Sequence, residues 1–125
     1  MRLTKKITVT AEWIQRYAKS IESPLQYLHG KLIAPATMPI VFWQLFDRAI
    51  LNNQKPVLHG SQQFFYHVPI QEGMVLHCEL ALSHKEHKQG KQGPMTFYTY
   101  TLNCFERGTE IVQLKTVLIH VGADI

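Results

Sequence analysis

The run Met38-Pro39-Ile40-Val41-Phe42-Trp43-Gln44-Leu45-Phe46-Asp47-Arg48-Ala49-Ile50-Leu51 constrains this chain more than any other stretch. Proline stands at a first helical position, where its missing N–H costs nothing, and apolar side chains follow over most of the helical circumference. A helix of that kind has no polar face to give to water, so it is expected to be largely enclosed by the rest of the molecule. The residues beyond it must therefore supply a wall.

That wall is legible as strands. Val57-Leu58-His59, Gln62 to Val68, Met74 to Ser83, Thr96 to Glu106 and Glu110 to Val121 are rich in aromatic and β-branched residues. In the third of these Met74, Leu76, Cys78, Leu80 and Leu82 share one face, and in the last Val112, Leu114, Thr116, Leu118 and His120 do. Arg107-Gly108 marks a tight hairpin between the final two. Ahead of the apolar run, residues 10 to 21 read as a shorter helix, with Thr10 as N-cap and Ile14, Tyr17, Ala18 and Ile21 at helical spacing, until Pro24 forbids continuation.

No repeat, linker or low-complexity stretch divides the 125 residues, so one domain over 1–125 is expected. The fold class is α+β: a single hot-dog, with a curled antiparallel sheet of about five strands wrapped around one central apolar helix. Such a sheet leaves an edge exposed, and a dimer is expected to cover it.

Bulk composition excludes several alternatives. Hydrophobic residues make up 46% of the chain and charged residues 18%, yet no segment approaches the ~20 unbroken apolar residues of a membrane span. MRLTKKITVTAEW has two lysines but no apolar run before small residues, so no secretory signal is read and a cytoplasmic location is expected. Cys78 and Cys104 sit in apolar alternating segments and are expected as buried free thiols. The seven histidines form no H-x-H or H-x-x-x-H set, and neither a metal nor a cofactor is expected. The net charge of +4 favours an anionic partner; with no interleaved aromatic platform and no dense basic helix face, that partner is not nucleic acid.

Specific residues then resemble a family, the MaoC-like dehydratases and hydratases, and within it the N-terminal FAS1-type dehydratase half-domain. The likeness is carried by Ala34-Pro35-Ala36-Thr37-Met38-Pro39, by Leu58-His59-Gly60-Ser61-Gln62-Gln63-Phe64-Phe65-Tyr66-His67-Val68-Pro69-Ile70, by Glu72-Gly73 and by Gly93-Pro94-Met95-Thr96-Phe97. Active members of the family carry G-D-x-N-P-x-H, whose aspartate and histidine do the acid–base work. Aligned on Pro24, this chain has Ser20 at the glycine, Ile21 at the aspartate, Ser23 at the asparagine and Gln26 at the histidine. The dyad is missing.

Isoleucine cannot titrate, and glutamine can orient a group but cannot exchange a proton at neutral pH. Losing a positioned acid or base commonly costs about 10²–10⁴-fold in rate. The resemblance therefore implies a non-catalytic, substrate-binding subunit of a (3R)-hydroxyacyl-thioester dehydratase or enoyl-thioester hydratase. Its partners would be an acyl-CoA or acyl-carrier-protein thioester and a second hot-dog chain, in a homodimer or a heterodimer whose other member bears the dyad.

Pro35, Thr37, Phe42, Trp43, His59 and Gly60 are the expected walls of the acyl or thioester path. The loop Ser83 to Gly93 holds Lys85, Lys88 and Lys91 with two histidines against one glutamate, and is expected to be a solvated hairpin tip or a contact for carrier phosphates or an acidic carrier. Two alternatives stay open. The chain is itself a hydratase or thioesterase using Glu22 and His29, or it is a non-enzymatic acyl-CoA binder.

Overall fold

The computed structural model describes residues 2–46, 57–91 and 93–122. Its elements are β1 (Arg2–Thr8), α1 (Ala11–Ser20), β2 (Gln26–Leu28), β3 (Lys31–Ile33), a 3-10 helix (Met38–Leu45), β4 (Val57–Tyr66), β5 (Val75–Gly90), β6 (Gly93–Glu106) and β7 (Thr109–Val121). Five strands form one antiparallel sheet in the order β1-β5-β6-β7-β4, and β2 and β3 form a separate hairpin. This is the single hot-dog fold.

The first helix follows its signals. Thr10 Oγ1 accepts from the Trp13 backbone N–H at 3.1 Å, and Ile14 and Ala18 turn inward. Burial of Leu76, Cys78 and Leu80 on β5, Leu102 and Cys104 on β6, and Val112 and Leu114 on β7 gives the sheet its apolar face, against which Ile14, Met38 and Phe42 complete the core. Each such large side chain stabilises the fold by about 1.5–3 kcal/mol through area removed from water.

The strand count holds for a different reason than the sequence suggested. Val57 to His59 and Gln62 to Val68 are not two strands but the single β4, ending at Tyr66, with a bulge between His59 and Ser61. A Cβ on Gly60 would stand 3.0 Å from Ile119 Cδ1 and 3.3 Å from the Val117 carbonyl oxygen, so a side chain there meets the neighbouring strand. The fifth strand is instead β1, which pairs with β5 in the register Arg2↔Ala81 to Thr8↔Val75. Only Ile7 on β1 is buried, so an edge strand with Lys5 and Lys6 in it lacked the apolar alternation that marks the others.

The apolar run is also corrected. Over Met38–Leu45 it is a 3-10 helix, with Ile40 N–H donating to the Thr37 carbonyl and Phe46 N–H to that of Trp43. Nor is it enclosed all round: Met38, Pro39, Phe42 and Phe46 are buried, while Ile40 and Leu45 are 38% and 41% exposed. Asp47, Arg48, Ala49, Ile50 and Leu51, read as the rest of this helix, lie outside the described residues.

The basic loop Ser83 to Gly93 is not a loop. β5 runs on to Gly90 and β6 begins at Gly93, paired Gly90↔Gly93, so that Lys85 and Lys88 are strand residues and Lys91 lies in the turn. At the other hairpin Arg107 and Gly108 have φ of 49° and 81°, the two left-handed residues of a tight turn between β6 and β7.

Candidate functional site

The segment aligned with the catalytic loop is built from the end of α1 and the β2–β3 hairpin. Ile21 caps α1, Glu22 stands in the left-handed conformation at φ 54°, and the N–H groups of Glu22 and Ser23 close on the Lys19 and Ala18 carbonyls. The chain then straightens through Pro24 into β2, where Gln26 opposes Ile33. His29 and Gly30, with φ of 51° and 78°, form the turn that joins Leu28 to Lys31. Glu22 and His29 are thus exposed residues in two turns that need a left-handed backbone.

Gln26 reaches a cavity of about 270 Å³, whose wall also includes Ile33, Ala36, Tyr66, His67 and Val68. Ile21, at the other dyad position, is 45% exposed at the helix end. Two hydroxyls pin the segment behind the cavity: Tyr66 Oη donates to the Ala36 carbonyl at 2.6 Å, and Tyr17 Oη and Thr37 Oγ1 are 2.7 Å apart. Burial, with neighbouring Cys104 and Tyr17, pushes the Tyr66 hydroxyl well above the ordinary tyrosine range, so it stays a donor.

Beside Tyr66, this wall holds a second titratable group, one that its pattern marks only as an ordinary strand residue. His67 Nε2 lies 3.0 Å from Glu110 Oε2, a pair formed across 43 positions of sequence that no local motif announces. A carboxylate accepting from one ring nitrogen orients the imidazole.

Of the expected acyl-path residues, Trp43 and His59 share a second cavity of about 200 Å³ with Ile40, Gln62, Thr116 and Leu118. Its Gln62 and Thr116 side chains are joined to each other at 2.7 Å. Phe42 is fully buried against Trp13, ring centroids 5.3 Å apart, and belongs to the core. Thr37 is bonded to Tyr17, the Pro35 carbonyl accepts from Met38 N–H at 3.0 Å, and Gly60 makes the β4 bulge. Lys85 Nζ lies 5.5 Å from the Tyr98 ring centroid and Lys88 Nζ 5.0 Å from that of Phe97.

Among the described residues no three His, Cys, Asp or Glu side chains gather as a metal site would require. Nor is any described helix long and apolar enough to cross a membrane. Cys78 and Cys104 are free and buried, Sγ to Sγ 3.2 Å; the hydrogen bond from Cys78, and then burial, push the Cys104 thiol far up.

Residues 3–114 match the family model described as the FAS1-like, dehydratase domain region. The chain belongs to this family. No curated protein is significantly similar in sequence to this FAS1-like dehydratase-region chain. Among solved structures it is similar to a C-terminally truncated HadBC (3R-hydroxyacyl-ACP dehydratase) complex from Mycobacterium tuberculosis, at TM-score 0.78 and 15% identity over 95% of this chain and 94% of that one. A MaoC-like dehydratase aligns at 0.74 and 19%, covering 98% of this chain and 42% of the other. The ChsH1-ChsH2 complex from Mycobacterium tuberculosis aligns at 0.69 and 12%, over 98% and 85%.

Proposed function

We propose that this FAS1-like dehydratase-region chain is the substrate-binding subunit of a (3R)-hydroxyacyl-thioester dehydratase or enoyl-thioester hydratase, and that a second hot-dog chain supplies the Asp and His. One observation carries the reading: the residue aligned with the family's histidine does line a cavity, and it is Gln26. Hydration needs a base to take a proton from water as its oxygen attacks the β carbon, and an acid to protonate the α carbon. Gln26 can hold a thioester carbonyl or a hydroxyl, but it can do neither of those steps.

The cavity holding Trp43 and His59 is apolar enough to take part of an acyl chain. The free edge of β4, with Leu58 58% and Phe65 45% exposed beside it, is where we assign the second chain, in a dimer. Two structurally similar proteins are named as complexes, HadBC and ChsH1-ChsH2, which fits a two-chain enzyme. Lys85, Lys88 and Lys91 give the β5–β6 hairpin a basic surface for the carrier.

The decisive measurement is hydration of crotonyl-CoA by the purified chain alone, then with a hot-dog chain that carries the dyad. No turnover alone and turnover in the mixture is the expected outcome. Turnover by the chain alone, on the order of 1–10³ s⁻¹, sinks the reading.

A second reading has one observation in its favour, the His67–Glu110 pair at the cavity that Gln26 lines. In it the chain is itself a hydratase, with His67 as its acid–base group. His67→Asn discriminates: activity of the isolated chain lost in that variant supports this reading, and activity retained removes it. Glu22 and His29, held in their turns, have no such cavity contact among the described residues.

A further inference from the structure

A groove that shares no lining residue with either of these cavities lies where β1 meets α1 and the 3-10 helix. It encloses about 490 Å³, in the range of small-molecule sites. Lys5 and Lys6 from β1 and Arg16 from α1 rim it, and Trp13, Val41 and Leu45 contribute its apolar surface. Among the described residues no aspartate or glutamate lines it. All three cations are exposed, and among the described residues none of them is held in an ion pair.

Lysines on an edge strand are a common guard against unwanted pairing, and two of these could serve that end alone. Such a guard needs neither an arginine from a neighbouring helix nor an open indole. Trp13 is packed on Phe42 at 5.3 Å and is only partly buried, so part of its ring remains for the groove. Leu45, 41% exposed, lines the same groove. Positive charge beside aromatic and aliphatic surface fits a ligand that is anionic at one end and flat and apolar at the other.

We propose that this groove binds a phosphorylated nucleotide, with its base against Trp13 and its phosphates among Lys5, Lys6 and Arg16. Guanidinium and ammonium groups give charge-assisted hydrogen bonds to phosphate, and an aromatic base gains by stacking on an indole. The same chemistry is offered by the nucleotide end of coenzyme A and by a free nucleotide. The inference goes beyond the acyl-thioester reading and does not depend on it. If the ligand is coenzyme A, the lysine hairpin of β5 and β6 is left to other contacts.

The test is calorimetric titration of the purified chain with adenosine 3′,5′-bisphosphate, adenosine, inorganic phosphate, coenzyme A and ATP. The bisphosphate is expected to bind, at least about tenfold more tightly than adenosine or phosphate, and more weakly as salt is raised. The combined Lys5→Gln, Lys6→Gln and Arg16→Gln variant, all at exposed positions, is expected to lose about tenfold or more. Lys31→Gln, at an exposed position on β3 outside the groove, is expected to change nothing. Coenzyme A binding more tightly than ATP identifies a thioester carrier as the source; the reverse identifies a free nucleotide.

No binding of the bisphosphate, equal binding of inorganic phosphate, or binding unchanged in the triple variant each overturns the proposal. Titration with hexanoyl-pantetheine, which has an acyl thioester and no nucleotide, reports separately on the proposed acyl-binding function. Failure there leaves the groove untouched.

Discussion

Glu22 and His29 carry titratable side chains within a few positions of the family's dyad, yet both stand where the backbone turns left-handed. Glutamate and histidine bear a steric cost there that glycine would not, and the helix end and the hairpin require the conformation whatever the side chain. Ile21 and Gln26 are the informative pair. Ile21 is exposed and Gln26 lines the cavity, so neither position is needed by the core. The double variant Ile21→Asp, Gln26→His is therefore expected to fold and to gain hydration of crotonyl-CoA over the parent chain, by up to about 10²-fold if the acid and base are both positioned; no gain in a folded variant would show that the dyad needs more of its loop than these two residues. The thiols make the opposite case. Cys78 and Cys104 are buried, and the Cys104 thiol is held protonated. Since the thiolate is the nucleophile, iodoacetamide at pH 8 is expected to leave Cys104 unmodified in the native chain and to alkylate both cysteines once urea unfolds it, as mass spectrometry would record.

At the scale of elements, β4 shows how one residue sets a strand. Its bulge at Gly60 shifts the register between His59 and Ser61, which keeps His59 opposite Leu118 while Gln62 meets Thr116. Gly60→Val would press on Ile119 and the Val117 carbonyl, and a loss of about 1–3 kcal/mol is expected in urea unfolding. A cost below about 0.5 kcal/mol would mean that the two strands part easily there. The glycine was visible in the sequence, and the bulge was not, because it depends on a partner strand more than fifty residues away. The helix and the β6–β7 hairpin were legible for the converse reason. Thr10, Pro24 and Arg107-Gly108 act on their immediate neighbours.

At the scale of the molecule, two tyrosines tie stability to pH. Burial raises Tyr66 above its ordinary value of about 10, with Cys104 and Tyr17 adding to it, and burial likewise raises Tyr100, helped by Tyr98. A raised folded-state value means that the unfolded chain loses its protons first as the pH climbs. The stabilisation is whole below about pH 10, the unfolded value, and is lost progressively above it. The midpoint of urea unfolding is thus expected to fall between pH 9 and pH 11, and Tyr66→Phe to fall less over that interval. Tyr66→Phe should also be less stable at pH 7, by about 1 kcal/mol, because it gives up the bond to the Ala36 carbonyl. An equal fall with pH in both chains would show that Tyr66 does not titrate with unfolding.

The sequence by itself determined the fold class, the first helix and the strands with two-residue alternation, because each of these is written in residues that act locally or in a spacing that a motif preserves. Tertiary structure alone decided the rest. It made β1 a strand through pairing with β5, turned Met38–Leu45 into a 3-10 helix covered on one side, and extended β5 and β6 through the basic segment as paired strands. It also brought His67 to Glu110, Gln26 to a cavity wall, and Lys5, Lys6 and Arg16 to one groove. These contacts join positions far apart in the chain, and their free energies exist only once the sheet has closed the distance between them.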